Sequence, residues 1–209
     1  MKVRMKLIRT AGVLLLLAVG AAAAFGWYEV RRGFSARATP SSIEVFAATT
    51  ARRLAVPSSY RWLQNPLAAT PENIRAGMEH FANHCATCHA NDGSGDTMFG
   101  KGLYPKPPDM RRGETQNKSD GALYYTIENG VRLSGMPAFG EEHAAAEDAE
   151  TWNLVLFMRH LPNLTANELR NMEQLNPKTE EERQEEKQEE EFLNGGEAPM
   201  ATPGDMHHH

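Results

Sequence analysis

Apolar and polar positions are segregated along the chain. Residues 10–28 are nineteen consecutive uncharged residues between Arg9 and Glu29. As a helix rising ~1.5 Å per residue they span roughly the ~30 Å hydrocarbon core of a bilayer. A weakly amphipathic stretch at 42–54 predicts a helix of three turns. Thr70-Pro71-Glu72 then reads as a helix start, and Ile74, Met78, Phe81 and Cys85 follow at helical spacing, which predicts a helix over 71–84. Residues 90–118 hold so many Gly and Pro that long regular elements are excluded, and some other organiser must fill that region. Ser119 or Asp120 caps a second helix that runs through Leu123, Tyr124 and Ile127 to Asn129, with Gly130 after its end. A third helix is expected over 144–161, with Trp152, Val155, Leu156 and Arg159 at helical spacing and Pro162 as its stop. No stretch has the alternation of a strand, so the fold class is all-α.

These patterns divide the 209 residues into a membrane-spanning signal-anchor at 1–32, a linker at 33–70, a small helical domain at 71–164 and an acidic tail at 165–209. That length excludes a large multidomain enzyme. The formal net charge is −5 and uneven: residues 1–32 carry six Lys/Arg against one Glu, and residues 168–209 carry twelve Asp/Glu against four Lys/Arg. No basic patch argues for nucleic acid. Lys2, Arg4, Lys6 and Arg9 precede the apolar span, so its N-terminus stays in the cytoplasm and everything after Arg32 lies outside. Trp27 and Tyr28 take the place of interfacial aromatics. The competing reading is a cleaved signal peptide, with Leu14, Leu15, Leu16 and Leu17 as its apolar region and the alanines at 21–24 as a cleavage site. Both readings export the rest of the chain. The tail opens with a capping box at Thr165 and Glu168, then carries eight Glu between Glu180 and Glu191, and is expected to be partly helical or disordered because it has too little apolar surface to bury.

The two cysteines stand together. Cys85-Ala86-Thr87-Cys88-His89 is the C-x-x-C-H sequence, in which two thiols form thioethers to the vinyl groups of a haem and the adjacent histidine lies under the iron. A thioredoxin-like pair would need alternating strands and helices, and a zinc site a second Cys pair; neither is present in the sequence. A covalent haem also supplies an apolar core for the Gly- and Pro-rich region.

Residues 71–162 resemble the class I, mitochondrial-type monohaem cytochrome c family in a membrane-anchored bacterial form. In that family a Gly and an aromatic stand eight and four residues before the first Cys, where the first and last helices cross; Gly77 and Phe81 hold those places, with Trp152 and Leu156 as expected partners on the last helix. Gly135-Met136-Pro137-Ala138-Phe139-Gly140 resembles the family's methionine loop, which makes Met136 the second axial ligand opposite His89. Met98 and Met110 compete for that place, and His80, His84, His143 and His160 are further candidates. The resemblance also implies a proline-associated carbonyl that accepts from the ligating His89; of Pro105, Pro107 and Pro108, Pro105 is the expected one. Tyr104, Arg111 and Arg132 are suitable donors for haem propionates.

With both axial places filled there is no vacant position for substrate, so the expected function is outer-sphere one-electron transfer in a periplasmic respiratory chain, with catalysis left to others. The cofactor is one covalent haem c. The partners are a redox donor and acceptor in or at the membrane, meeting a patch beside Cys85, Ala86 and the Met136 loop, and the location is a bacterial inner membrane with the haem domain in the periplasm. Alternatives are a haem c subunit of a larger membrane oxidoreductase, or a peroxidase or sensor in which Met136 dissociates. His207, His208 and His209 at the end of the chain, with Met200 and Met206, are candidate ligands for copper or nickel.

Overall fold

The computed structural model describes residues 2–140 and 148–193. His143 and the candidate copper or nickel ligands His207, His208 and His209 lie outside the described residues. The regular elements are helices, with no strand among the described residues. Before the domain come α1 (Lys2–Arg32), α2 (Ser42–Ala55) and the single turn α3 (Ser58–Arg61). The domain is built on α4 (Pro71–His84), the turns α5 (Ala86–His89), α6 (Met98–Gly102) and α7 (Gly113–Gln116), then α8 (Asp120–Asn129) and α9 (Ala149–His160). A 3₁₀ turn (Leu161–Asn163) leads to α10 (Ala166–Leu175) and α11 (Glu180–Leu193). Residues 4–32 of α1 are long and apolar enough to cross a membrane, and none of that apolar stretch is buried within the chain. That separates it from the core helix of a soluble domain, which would be covered by its neighbours.

Helix boundaries follow local capping chemistry. The Thr70 side chain accepts from the Asn73 N–H, and Pro71 costs no hydrogen bond at the first helical position. Ser119 accepts from the Ala122 N–H to start α8. For α9, Asp148 is the cap: its backbone is extended and its side chain accepts from the N–H groups of Glu150 and Thr151 at 2.9 and 3.2 Å, while residues 144–147 of the expected span lie outside the described residues.

The core is the crossing of α4 and α9. A Cβ at Gly77 would lie 2.5 Å from the carbonyl carbon of Asn153 and 3.0 Å from Phe157 Cβ, so the two backbones touch at a position only glycine can hold. Phe81, one turn on, packs its ring against Phe157 with centroids 5.2 Å apart. The expected partners Trp152 and Leu156 are therefore replaced by Asn153 and Phe157, one residue further round α9. Trp152 faces α8 instead and packs on Tyr124 at 4.3 Å. Seven of the twelve residues of α9 are buried, on several sides at once, which is why its sequence shows so little amphipathic contrast.

The packed unit extends past the region of resemblance at both ends. Residues 60–67, expected as linker, lie on the core: Tyr60 packs on Tyr124 and Tyr125, the Gly121 N–H donates to the Leu63 carbonyl at 3.1 Å, and Asn65 Nδ2 donates to the Trp152 carbonyl at 2.8 Å. At the other end α10 carries the expected capping box and buries Met172 completely in the same cluster. His160 Nε2 sits 2.9 Å from Glu168 Oε1, tying α9 to α10. A handful of apolar residues in each flank suffices for docking, since each one fully buried contributes roughly 1.5–3 kcal/mol.

Candidate functional site

One apolar cavity of about 430 Å³ opens beside the α4–α9 crossing. Such a volume lies in the range of cofactor pockets, roughly 300–1,000 Å³. Phe81, Leu123, Ile127, Leu154 and Met158 line it, as do Cys85, Cys88 and His89. Their spacing is the reason they converge. Cys88 and His89 both donate their N–H to the Cys85 carbonyl, at 3.2 and 2.9 Å, so one helical turn brings positions i, i+3 and i+4 to one face. The turn is anchored behind by the Gly95 N–H donating to the His89 carbonyl at 2.8 Å.

Met136 also lines the cavity, and its loop is docked on the end of α8. The N–H groups of Phe139 and Gly140 donate to the carbonyls of Ile127 and Glu128, at 3.1 and 3.0 Å. Met136 itself is held in both directions, donating to Ser134 Oγ at 3.2 Å and accepting from the Val131 N–H at 3.1 Å. The turn out of α8 needs Gly130, whose φ is +64° and where a Cβ would lie 2.5 Å from the Pro137 carbonyl carbon.

Burial sets the chemistry of these groups. It pushes the Cys85 thiol up to about 12, with the neighbouring Cys88 adding to the effect, so Cys85 is a poor thiolate for disulfide exchange at neutral pH. Burial also brings His89 down to about 4, which leaves a neutral imidazole able to ligate a metal. The buried His89 Nδ1 has no hydrogen-bond partner. An apolar cavity that gathers two unpaired thiols, a neutral imidazole with an orphaned nitrogen and a thioether fits a covalently held haem. It does not fit zinc: among the described residues no group of three or more His, Cys, Asp or Glu side chains has the arrangement of a metal-ion site.

Other expected residues fall differently. Pro105 lines the cavity, but no carbonyl is within hydrogen-bond reach of His89 Nδ1. Met98 is 83% exposed and away from the cavity, whereas Met110 is buried on its wall. His84 also lines the cavity; His80 is turned to Glu150 and His160 to Glu168. Of the propionate donors, Arg111 is taken up in ion pairs with Asp92 and Asp109, at 2.7 and 2.8 Å, the first of which ties the two sides of the Gly- and Pro-rich loop together. The Tyr104 hydroxyl donates to Glu44 Oε1 at 3.0 Å, and Arg132 is not on the cavity wall. The cations on the wall are Arg52 and Lys106, which sequence reading missed. Lys106 stands inside the proline run and was within reach of a local argument. Arg52 comes from α2, where no motif points to the cavity. Ala86, expected on a docking patch, is buried; the exposed large apolar residues near the methionine are Leu133 and Phe139.

Residues 72–158 match a family model described as cytochrome c oxidase, cbb3-type, subunit III. No curated protein matches the chain.

Proposed function

With residues 72–158 a class I c-type cytochrome domain, we propose that the chain is a membrane-anchored one-electron carrier, held by α1 in a bacterial inner membrane with its helical domain in the periplasm. The observation that carries this reading is that one cavity is lined by Cys85, Cys88 and His89 and also by Met136. Bound there, haem c supplies a reversible one-electron couple whose potential a His/Met ligand pair raises. The two thiols would tether it, His89 would ligate without first losing a proton, and Met136 is presented by a loop that backbone hydrogen bonds hold in place. Phe81, Leu123, Ile127 and Leu154 keep water from the site, which favours the less charged reduced state. With His89 and Met136 both available as ligands, a bound haem would have no open position for substrate, and outer-sphere transfer is what the site supports. The exposed Leu133 and Phe139 beside Met136 offer the apolar edge that brief contacts with a redox partner use.

The test is to express the full chain in a host that matures c-type cytochromes and to record reduced-minus-oxidised spectra of its membranes. A low-spin, six-coordinate c-type spectrum in the membrane fraction is expected. A colourless protein, or a five-coordinate high-spin ferrous spectrum, refutes the reading. The description of the matched family favours a second reading, that the domain serves as a haem c subunit of a larger membrane oxidoreductase. Purification in mild detergent separates the two: a carrier comes out alone, a subunit with its complex.

A further inference from the structure

We infer that α2 is an amphipathic helix lying on the membrane surface, with Ile43, Phe46 and Leu54 in the lipid and Arg52 turned to the cofactor cavity. The inference rests on the proposed anchoring by α1.

The first observation is the phase of the helix. At ~100° per residue, Ile43, Phe46, Ala47, Thr50 and Leu54 share one side of α2, and Arg52 points about 180° from Ile43. Two contacts determine which side faces the domain. Arg52 lines the cavity, and Glu44 accepts a hydrogen bond from Tyr104 at 3.0 Å. The large apolar residues of the opposite side are bare: Ile43 is 80%, Phe46 72% and Leu54 64% exposed, while Val45, on the Arg52 side, is 46% exposed. No residue of α2 is buried. An isolated helix shorter than ~12–15 residues is marginal in water, so fourteen residues with an uncovered apolar stripe call for a surface to lie on.

The second observation is the tether. Only residues 33–41 separate the end of α1 from α2, and at most ~3.6 Å per residue confines the start of α2 to within about 30 Å of the membrane exit. Phe34, in that connection, is 86% exposed. Arg31 and Arg32 at the end of α1 and Arg53 at the edge of the apolar stripe place cations at headgroup level, the composition of an interfacial helix. A bilayer is thus the apolar surface that chain continuity guarantees to be near. With lipid on one side and the cavity on the other, α2 sets the height and tilt at which the cofactor edge stands over the membrane.

The full-length haem-loaded chain would be reconstituted into phosphatidylethanolamine/phosphatidylglycerol vesicles containing a phospholipid with a diazirine near its acyl carbonyl, illuminated, and mapped for lipid adducts by mass spectrometry. Adducts are expected at Ile43, Phe46 and Leu54 and within residues 10–28, and none at Glu44, Ala48 or Arg52. In the F46D/L54D variant, adducts in residues 42–55 should fall about tenfold or more while those in residues 10–28 and the reduced spectrum stay unchanged. Adducts in residues 10–28 without any in α2 overturn the inference and leave the anchor standing. Their absence from both segments overturns the anchor and this inference with it. Cross-linking to protein instead of lipid from p-benzoylphenylalanine placed at position 46 would also overturn it.

Discussion

Replacing Gly77 with alanine isolates the helix crossing on which the site is built. Alanine in a helix interior is favoured over glycine by about 1 kcal/mol, so an uncrowded position would become more stable. Here the new Cβ would sit 2.5 Å from the Asn153 carbonyl carbon and 3.0 Å from Phe157 Cβ. Carbon atoms in contact prefer ~3.5–4.0 Å, so α4 and α9 must separate by about 1 Å. The obstacle is backbone, and no rotamer change relieves it. Overpacking of this kind costs about 1–3 kcal/mol, and a backbone clash belongs at the upper end. Less the propensity gain, the net loss is about 2 kcal/mol, a fall in melting temperature of roughly 10 °C for a domain of about this size. Gly102→Ala is the control, since nothing lies within 4 Å of a Cβ there and its φ is not positive. Thermal unfolding of both variants, followed by helical circular dichroism, should show G77A destabilised and G102A within about 0.5 kcal/mol of the parent. A G77A protein as stable as the parent would refute the claim that the crossing depends on close backbone contact.

Four other outcomes are expected. Met136→Ala should abolish the sulfur-to-iron charge-transfer absorption of the ferric protein and lower its potential, while Met98→Ala, at an exposed position, should change neither; the same loss from Met110→Ala instead would reassign the ligand. Truncation after residue 164 removes the buried Met172 and the His160–Glu168 contact and should cost about 2–5 kcal/mol in denaturant unfolding, whereas truncation after residue 179 should cost almost nothing. Arg159 reaches Asp120 and the carbonyls of Gln116 and Lys118, so Arg159→Ala should destabilise by about 2–3 kcal/mol, and lysine, lacking the fork, should not restore it. The guanidinium of Arg111, with Arg112 beside it, holds the Asp109 carboxyl far below its ordinary 3.8. A depressed carboxylate contributes stability above its unfolded value that is lost as pH falls through its folded one. Melting curves of the parent and D109N should therefore differ by a constant amount from neutral pH down to about 4 and converge below that; a gap that persists into strong acid would contradict the ion-pair assignment.

Much of this protein was legible in the linear chain because its determinants are local. Capping by Thr70, Ser119 and Thr165 involves residues two to four apart, and those helices begin where the caps stand. Cys85, Cys88 and His89 share one helical turn, so their convergence is a property of spacing. Tertiary structure decided what depends on distant partners. Whether Phe81 meets Trp152 or Phe157 turns on the rotation of one helix against another, which periodicity leaves free by about one residue. Residues 60–67 and Met172 joined the core because apolar surface on α4, α8 and α9 remained to be covered, a requirement no segment reveals alone. Arg111 was diverted from the cofactor by its neighbour Asp109 together with Asp92, which loop closure brought beside it, and Arg52 reached the cavity from a helix far upstream of the attachment motif. Local spacing wrote the chemistry of the ligands; the charges that surround them were assigned only when the chain had folded back on itself.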